Sequence, residues 1–228
     1  MIKKEKITII ILSVMIAKSS IAGVIIGGTR VIYDSRKKEA SISVINPDKV
    51  TPYLIQSWVE KESTHESQAP FIITPPLFRL NAGQENTLRI IFTGGRLSSD
   101  RESQYWINIK SIPSTSELEK NQLLISVKTR IKLIYRPEGI KGDPMEAYQK
   151  LIFKCRGETI EVYNPTPFYI AFYSVKLNGK EVNNAGTLGP YDKKPFPLHE
   201  RGVNSVSWQA INDFGGITTP ENAKCNSV

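Results

Sequence analysis

Few residues in this chain are equipped to make or break bonds, and their spacing argues against it. The two histidines, His65 and His199, stand in polar or turn-rich surroundings. Neither has a His, Cys or carboxylate at metal-ligand spacing, so both read as surface residues. Asp100-Arg101-Glu102 sets two carboxylates close together, but the arginine between them suggests ion pairing ahead of an acid–base pair. There is no Gly-x-Ser-x-Gly elbow and no phosphate-binding loop, and Gly27-Gly28 and Gly94-Gly95 read as turn glycines. Nothing here makes a case for an enzyme, a metal site or a cofactor. What remains is binding chemistry, concentrated in Leu123 to Pro137 (LLISVKTRIKLIYRP). Leu123, Ile125, Val127, Thr129, Ile131 and Leu133 recur at every second position, with Ser126, Lys128, Arg130 and Lys132 between them. One face of such a strand enters a core and the other offers cations. In the simple reading the cations just face water; in the sharper one, part of the apolar edge is kept for another polypeptide.

The elements that must position this strand begin after a processing signal. Lys3, Lys4 and Lys6 precede an apolar run, Ile7 to Ala17, and Ser20-Ile21-Ala22 supplies small residues where a signal peptidase cuts. The run is too short for a membrane-spanning helix, which needs about 20 residues, so cleavage after Ala22 and export are expected. Removing 22 of the 228 residues leaves 206, and the net charge falls from +8 to +5. Export argues against nucleic acid as the partner of this basic chain. Cys155 and Cys225 are the only cysteines, and in an oxidising compartment an even pair reads as one disulfide.

From Val24 onward the pattern is short strands punctuated by turns, with no long helical period. Seven strands are expected before residue 140, around Thr29–Tyr33, Ala40–Val44, Tyr53–Glu60, Phe71–Ile73, Leu88–Phe92, Tyr105–Ile112 and Leu123–Pro137. That number and spacing argue for an immunoglobulin-like β-sandwich. Pro137 to Pro144 holds two Pro and two Gly and is the candidate linker. Beyond it Leu151–Cys155, Thr159–Tyr163, Phe168–Leu177 and Val203–Ile211 predict a second, smaller sandwich. The expected organisation is a signal at 1–22, one domain over 23–140 and another over 145–228.

Six motifs in order then carry a family resemblance. Leu97 to Ser103, running through Trp106, Asn108 and Ile109 to Ile112-Pro113, resembles the signature of periplasmic pilus chaperones of the chaperone–usher pathway. So do Thr29-Arg30-Val31, Thr74-Pro75-Pro76, Ile131-Lys132-Leu133 with Tyr135-Arg136-Pro137, Asn164-Pro165-Thr166-Pro167 and Ile211 to Gly215. The sequence departs from the pattern at Ser98, commonly proline, and at Gln104, commonly aliphatic. The resemblance implies an all-β protein of two immunoglobulin-like domains set at an angle, with a cleft between them. It also implies pilus subunits and an outer-membrane usher as partners, and no cofactor. A subunit lacks its last strand, and the chaperone lends one by β-strand addition; Leu123, Ile125 and Val127 would enter the subunit's groove. Arg30 and Lys132 would anchor the subunit's C-terminal carboxylate, with Lys132 on the opposite parity from the three donor residues. Glu102, Arg136 and Asp213 would form a buried inter-domain salt bridge. The brevity of Pro113 to Asn121 resembles the short-loop class, which serves rod-like pili with adhesive tips.

Two other functions compete. A secreted structural or adhesive sandwich, such as a pilus subunit, would have one incomplete domain and a disordered N-terminal donor segment, whereas this chain has two complete-looking domains. A carbohydrate-binding module would want aromatics in an exposed row, and Trp58, Trp106 and Trp208 lie on separate strands, where packing in cores is expected.

Overall fold

The computed structural model describes residues 23–61, 69–114, 123–156, 159–197, 205–224 and 226–227. The expectations for residues 1–22, His65, His199, most of the Pro113–Asn121 loop and the Cys155–Cys225 pairing fall outside the described residues and side chains.

Alternating apolar and polar residues build the N-terminal domain. Its strands are β1 (Ile25–Ile26), β2 (Arg30–Asp34), β3 (Ala40–Ile45), β4 (Tyr53–Glu60), β5 (Phe71–Thr74), β6 (Leu77–Leu80), β7 (Glu85–Phe92), β8 (Ser103–Pro113) and β9 (Val127–Arg136). They form two sheets, ordered β1-β3-β7-β5 and β2-β9-β8-β4-β6. Inward residues such as Val44, Ile55, Leu88, Ile107 and Leu133 close one core between them.

At two of the places where the chain crosses between the sheets the strands follow one another almost without a break, and each crossing has a local cause. As β1 it pairs with β3; past Gly27-Gly28, as β2, it pairs in parallel with β9. Gly27 is needed there because the backbones run close: its N–H donates to Ser43 O at 2.9 Å, and a Cβ would collide with the Ser43 hydroxyl. The second change falls at Thr74-Pro75-Pro76. Before it β5 pairs with β7; after it β6 pairs with β4. Both are edge strands, where the missing N–H of proline breaks no inner ladder.

The C-terminal domain contains β10 (Ile152–Arg156), β11 (Thr159–Tyr163), β12 (Ile170–Leu177), β13 (Lys180–Glu181), β14 (Thr187–Leu188), β15 (Lys193–Pro197), β16 (Ser205–Ile211), β17 (Glu221–Lys224) and β18 (Asn226–Ser227). One sheet runs β15-β11-β10-β18 and the other β13-β12-β16-β17, with β14 also on β12. The second core gathers Phe153, Ile160, Val162, Phe172, Val175 and Trp208. The Trp208 indole N–H is satisfied by Tyr148 O, 2.9 Å away in a single 3₁₀ turn at Ala147–Lys150.

Three sequence expectations need correction. The strand expected over Leu123–Pro137 begins only at Val127, because its ladder with β8 ends at the Ser111–Val127 rung. Just beyond that rung β8 reaches Pro113, which has no N–H to offer. Residues 123–126 pair with no strand among the described residues. Second, Trp208 packs in a core but Trp58 and Trp106 do not; they are half-buried on the outer face of β4 and β8. Third, the strand placed at Phe168 starts at Ile170.

Candidate functional site

Strand β9 is the spine of the site. Its parallel pairing with β2 sets Arg30 level with Lys132, the two cations on adjacent strands of one sheet. Both reach the C-terminal domain. Arg30 Nη1 donates to Ile211 O at 3.0 Å, and the Lys132 ammonium donates to Thr187 Oγ1. Burial pulls the Arg30 guanidinium below its ordinary pKa, and the nearby charge of Asp213 acts the other way. Arg30 Nε is buried with no hydrogen-bond partner among the described residues, and a buried donor left unmade is costly. A groove of about 910 Å³ opens beside Arg30, lined also by Arg136, Asp213 and Phe214; Lys132 lies outside its lining.

Four residues further along β9, Arg136 joins the domains. Its Nε donates to Glu102 Oε1 at 2.7 Å, and its Nη1 and Nη2 grip both oxygens of Asp213 at 2.7 and 3.1 Å. Such a fork is geometry that only arginine supplies. The second oxygen of Glu102 accepts the Tyr169 backbone N–H at 2.7 Å, and the Glu102 N–H donates to Pro167 O at 3.0 Å. Glu102 is thus held from both domains. Local sequence explains the placement. Buried Asn164 donates to Phe168 O and Gly189 O and accepts from Thr166, fixing the Asn164-Pro165-Thr166-Pro167 loop against Glu102. Asn212 Oδ1 accepts the N–H groups of Phe214 and Gly216, folding the turn that presents Asp213. Arg101 does not pair with Glu102. It pairs with its neighbour Asp100 at 2.8 Å and lies over the Tyr191 ring at 4.9 Å.

The pKa values of Glu102 and Arg136 are both raised, the first by burial and the second by pairing. The Glu102 side chain is 1% exposed, and burial raises its pKa more than the charge of Arg136 and the Tyr169 N–H lower it. For Arg136, burial opposes the charge, but the Asp213 hydrogen bonds and the charge of Glu102 outweigh it and raise the pKa. A carboxyl whose folded pKa is raised contributes stability below its ordinary value of 4.5, and that contribution is lost as pH rises through the raised folded value. Melting curves across this range should therefore show the native chain gaining on Glu102→Gln as pH falls. A native chain that instead gains on Glu102→Gln with rising pH would show that pairing, not burial, governs this group.

At the other end of β9 the apolar row runs out into solvent. Val127 is 49% exposed, Ile125 65% and Leu123 87%, whereas Ile131 and Leu133 on the same parity are buried in the core. On the opposite parity, Lys128 and Arg130 are not simply solvated. Arg130 lies 4.2 Å over the Trp106 ring and Lys128 5.1 Å over Trp58. Glu60 holds Arg130 at 3.3 Å and accepts the Trp58 indole N–H at 3.3 Å. This platform, along with Thr187, Ile211 O and the Tyr169 N–H, is what the sequence did not reveal.

Fold and site together define a bidomain β-sandwich protein, its domains tied by a buried ion-pair network beside two partly buried cations. Residues 23–141 match the family described as pili and flagellar-assembly chaperone, PapD N-terminal domain, and residues 146–222 match the PapD C-terminal domain. The chain belongs to this family of pilus-assembly chaperones. It is 45% identical over 218 residues to the probable fimbrial chaperone LpfB of Escherichia coli O157:H7, covering 93% of both chains. It is 37% identical to the chaperone protein FimC of Escherichia coli K12, covering 91% of this chain and 86% of that one. Among solved structures, the Salmonella enterica SafA pilin in complex with the SafB chaperone matches with a TM-score of 0.81 at 36% identity, covering 91% and 98%. The periplasmic chaperone SfaE matches with 0.73 at 34%, covering 90% of this chain and all of that one.

Proposed function

We propose that the chain is a non-enzymatic periplasmic chaperone. It binds and stabilises pilus subunits by donor-strand complementation and delivers them to an outer-membrane usher. The observation that carries this reading is the continuity of β9. Leu123, Ile125 and Val127 extend the inward parity of Ile131 and Leu133 to the last rung of the ladder, at Val127, and beyond it, and all three side chains are exposed. A subunit groove that accepts the extension receives backbone pairing and three apolar side chains in register. Each contributes roughly 1.5–3 kcal/mol if fully buried, before association costs. Relatives named as fimbrial chaperones, and a similar chain solved with a pilin, support the same reading.

Arg30 and Lys132 anchor the subunit's C-terminal carboxylate, and Glu102, Arg136 and Asp213 hold the two domains in orientation, so that the C-terminal domain meets both cations. The first 22 residues are removed on export, the domains span 23–140 and 145–228, Cys155 bonds Cys225, and a short loop before β9 places the chain with chaperones of rod-like pili. Among the described residues no helix is long and apolar enough to cross a membrane. The test is co-expression with the pilins of the same organism, followed by purification and identification of what is retained. Ile125→Asp should reduce retained pilin strongly and leave melting unchanged, since this side chain contributes little to the chaperone's own core. Undiminished retention would mean that the apolar row is not what the subunit receives.

A further inference from the structure

The two cations are held apart by the far domain. Arg30 and Lys132 sit on adjacent strands, about 4.8 Å apart in the pairing direction. Their partners, Ile211 O and Thr187 Oγ1, are not neighbours. Ile211 and Thr187 each pair with Ala171, from opposite sides of β12, so two strand spacings, about 10 Å, separate them. Arg30 and Lys132 thus reach partners two strand spacings apart, and the partner of Lys132 there is Thr187.

We infer that Thr187 is a positioning residue for carboxylate capture: it parks the Lys132 ammonium on the far sheet and keeps a carboxylate-sized space between the cations. This rests on the proposed anchoring role of Arg30 and Lys132. A threonine hydroxyl suits the task because its oxygen accepts from the ammonium while its own proton stays free to donate. An ammonium on a four-carbon stem has three donors and many rotamers, and the bond to Thr187 restricts that freedom before the subunit arrives. An incoming carboxylate then meets the ammonium at less entropic cost. Arg30 Nε, buried with no hydrogen-bond partner among the described residues, is a second donor open to the same carboxylate. Thr187 lies on β14, a two-residue strand anchored to β12 through Leu188–Ile170 and Thr187–Ala171. The parking site thus moves with the C-terminal domain, and anchoring requires the domain orientation seen here.

The test uses the full mature chain and a synthetic peptide copying the C-terminal strand of the co-purifying pilin. The peptide is made with a free carboxylate and with a carboxamide. Native protein should prefer the carboxylate. Thr187→Val, which keeps the shape and removes the hydroxyl, should narrow that preference by about tenfold, the size of one charge-assisted hydrogen bond. Thr187→Ser should restore it to within about twofold, because the hydroxyl returns, and Lys132→Ala combined with Thr187→Val should behave as Lys132→Ala alone. A purely structural role would weaken both peptides alike. If Thr187→Val keeps the full preference while Lys132→Ala loses it, the parking role is overturned and the anchor stands. If Lys132→Ala keeps the preference, the anchor reading fails and the parking role fails with it.

Discussion

Lys132→Ala and Arg30→Ala are each expected to abolish pilin capture while leaving the circular dichroism spectrum and melting of the chaperone near native. The two effects separate because the cations serve the cleft and not a core. The variants give up the Lys132 bond to Thr187 and the Arg30 bond to Ile211 O, both at the partly solvated boundary between domains. For the complex the loss is much greater. Hydrogen bonds to a charged group are worth about 1.5–3 kcal/mol each, so removing one cation alone reduces affinity by ten- to a hundred-fold or more. Register adds to this. With its end unpinned, the subunit strand slips along the donor segment, and a slip of one residue turns every apolar side chain to the wrong face. Retained pilin should be compared across the native chain, both variants and Lys132→Arg, whose planar head keeps the charge but not the reach or shape. Normal capture by both alanine variants would dismiss the carboxylate anchor.

Arg136→Ala should lower stability by about 3–5 kcal/mol, the usual consequence of removing one partner from a buried charge network. Arg136 is 20% exposed and bonded to two carboxylates. Without it the nearly inaccessible Glu102 keeps only the Tyr169 N–H, and Asp213 loses its fork. Arg136→Lys should fall between, since an ammonium cannot grip Asp213 with two parallel donors. Urea unfolding measures the effect, and an unchanged midpoint in Arg136→Ala would dispose of the network as a stabilising device. Pilin capture should weaken too, because Asp213 and Thr187 belong to the domain whose position Arg136 fixes.

Much of the fold was legible because the N-terminal strands alternate cleanly. Ile55, Ile107 and Leu133 announce their inward face by parity alone. Strands at sheet edges escaped. β6 follows paired prolines, β15 contains two prolines, and β17 is the polar run Glu221–Lys224, so none carries a period-two signal. Edges are where a strand can be short, polar or broken by proline. Trp58 and Trp106 were misplaced because an aromatic on a strand reads as core; their outward parity, shared with Lys128 and Arg130 through the β4–β8–β9 register, was the available clue. The family motifs marked Arg30 with Lys132 as one set and Glu102, Arg136 and Asp213 as another. Their distances, and the role of Thr187, depend on how two sheets from different domains face one another, and no spacing along the chain encodes that.

The parallel pairing of β2 with β9 also bears on timing. It joins residues roughly a hundred positions apart, one near the start of the exported chain and one in the last strand of its domain, and contacts of such long sequence separation form late. A chain still emerging from the export machinery possesses Arg30 well before Lys132. The apolar segment proposed as its donor is synthesised just ahead of the strand that completes the domain. Competence to hold a client should therefore appear abruptly, as the closing step of the chaperone's own folding, so that half-made chaperone cannot sequester half-made pilin.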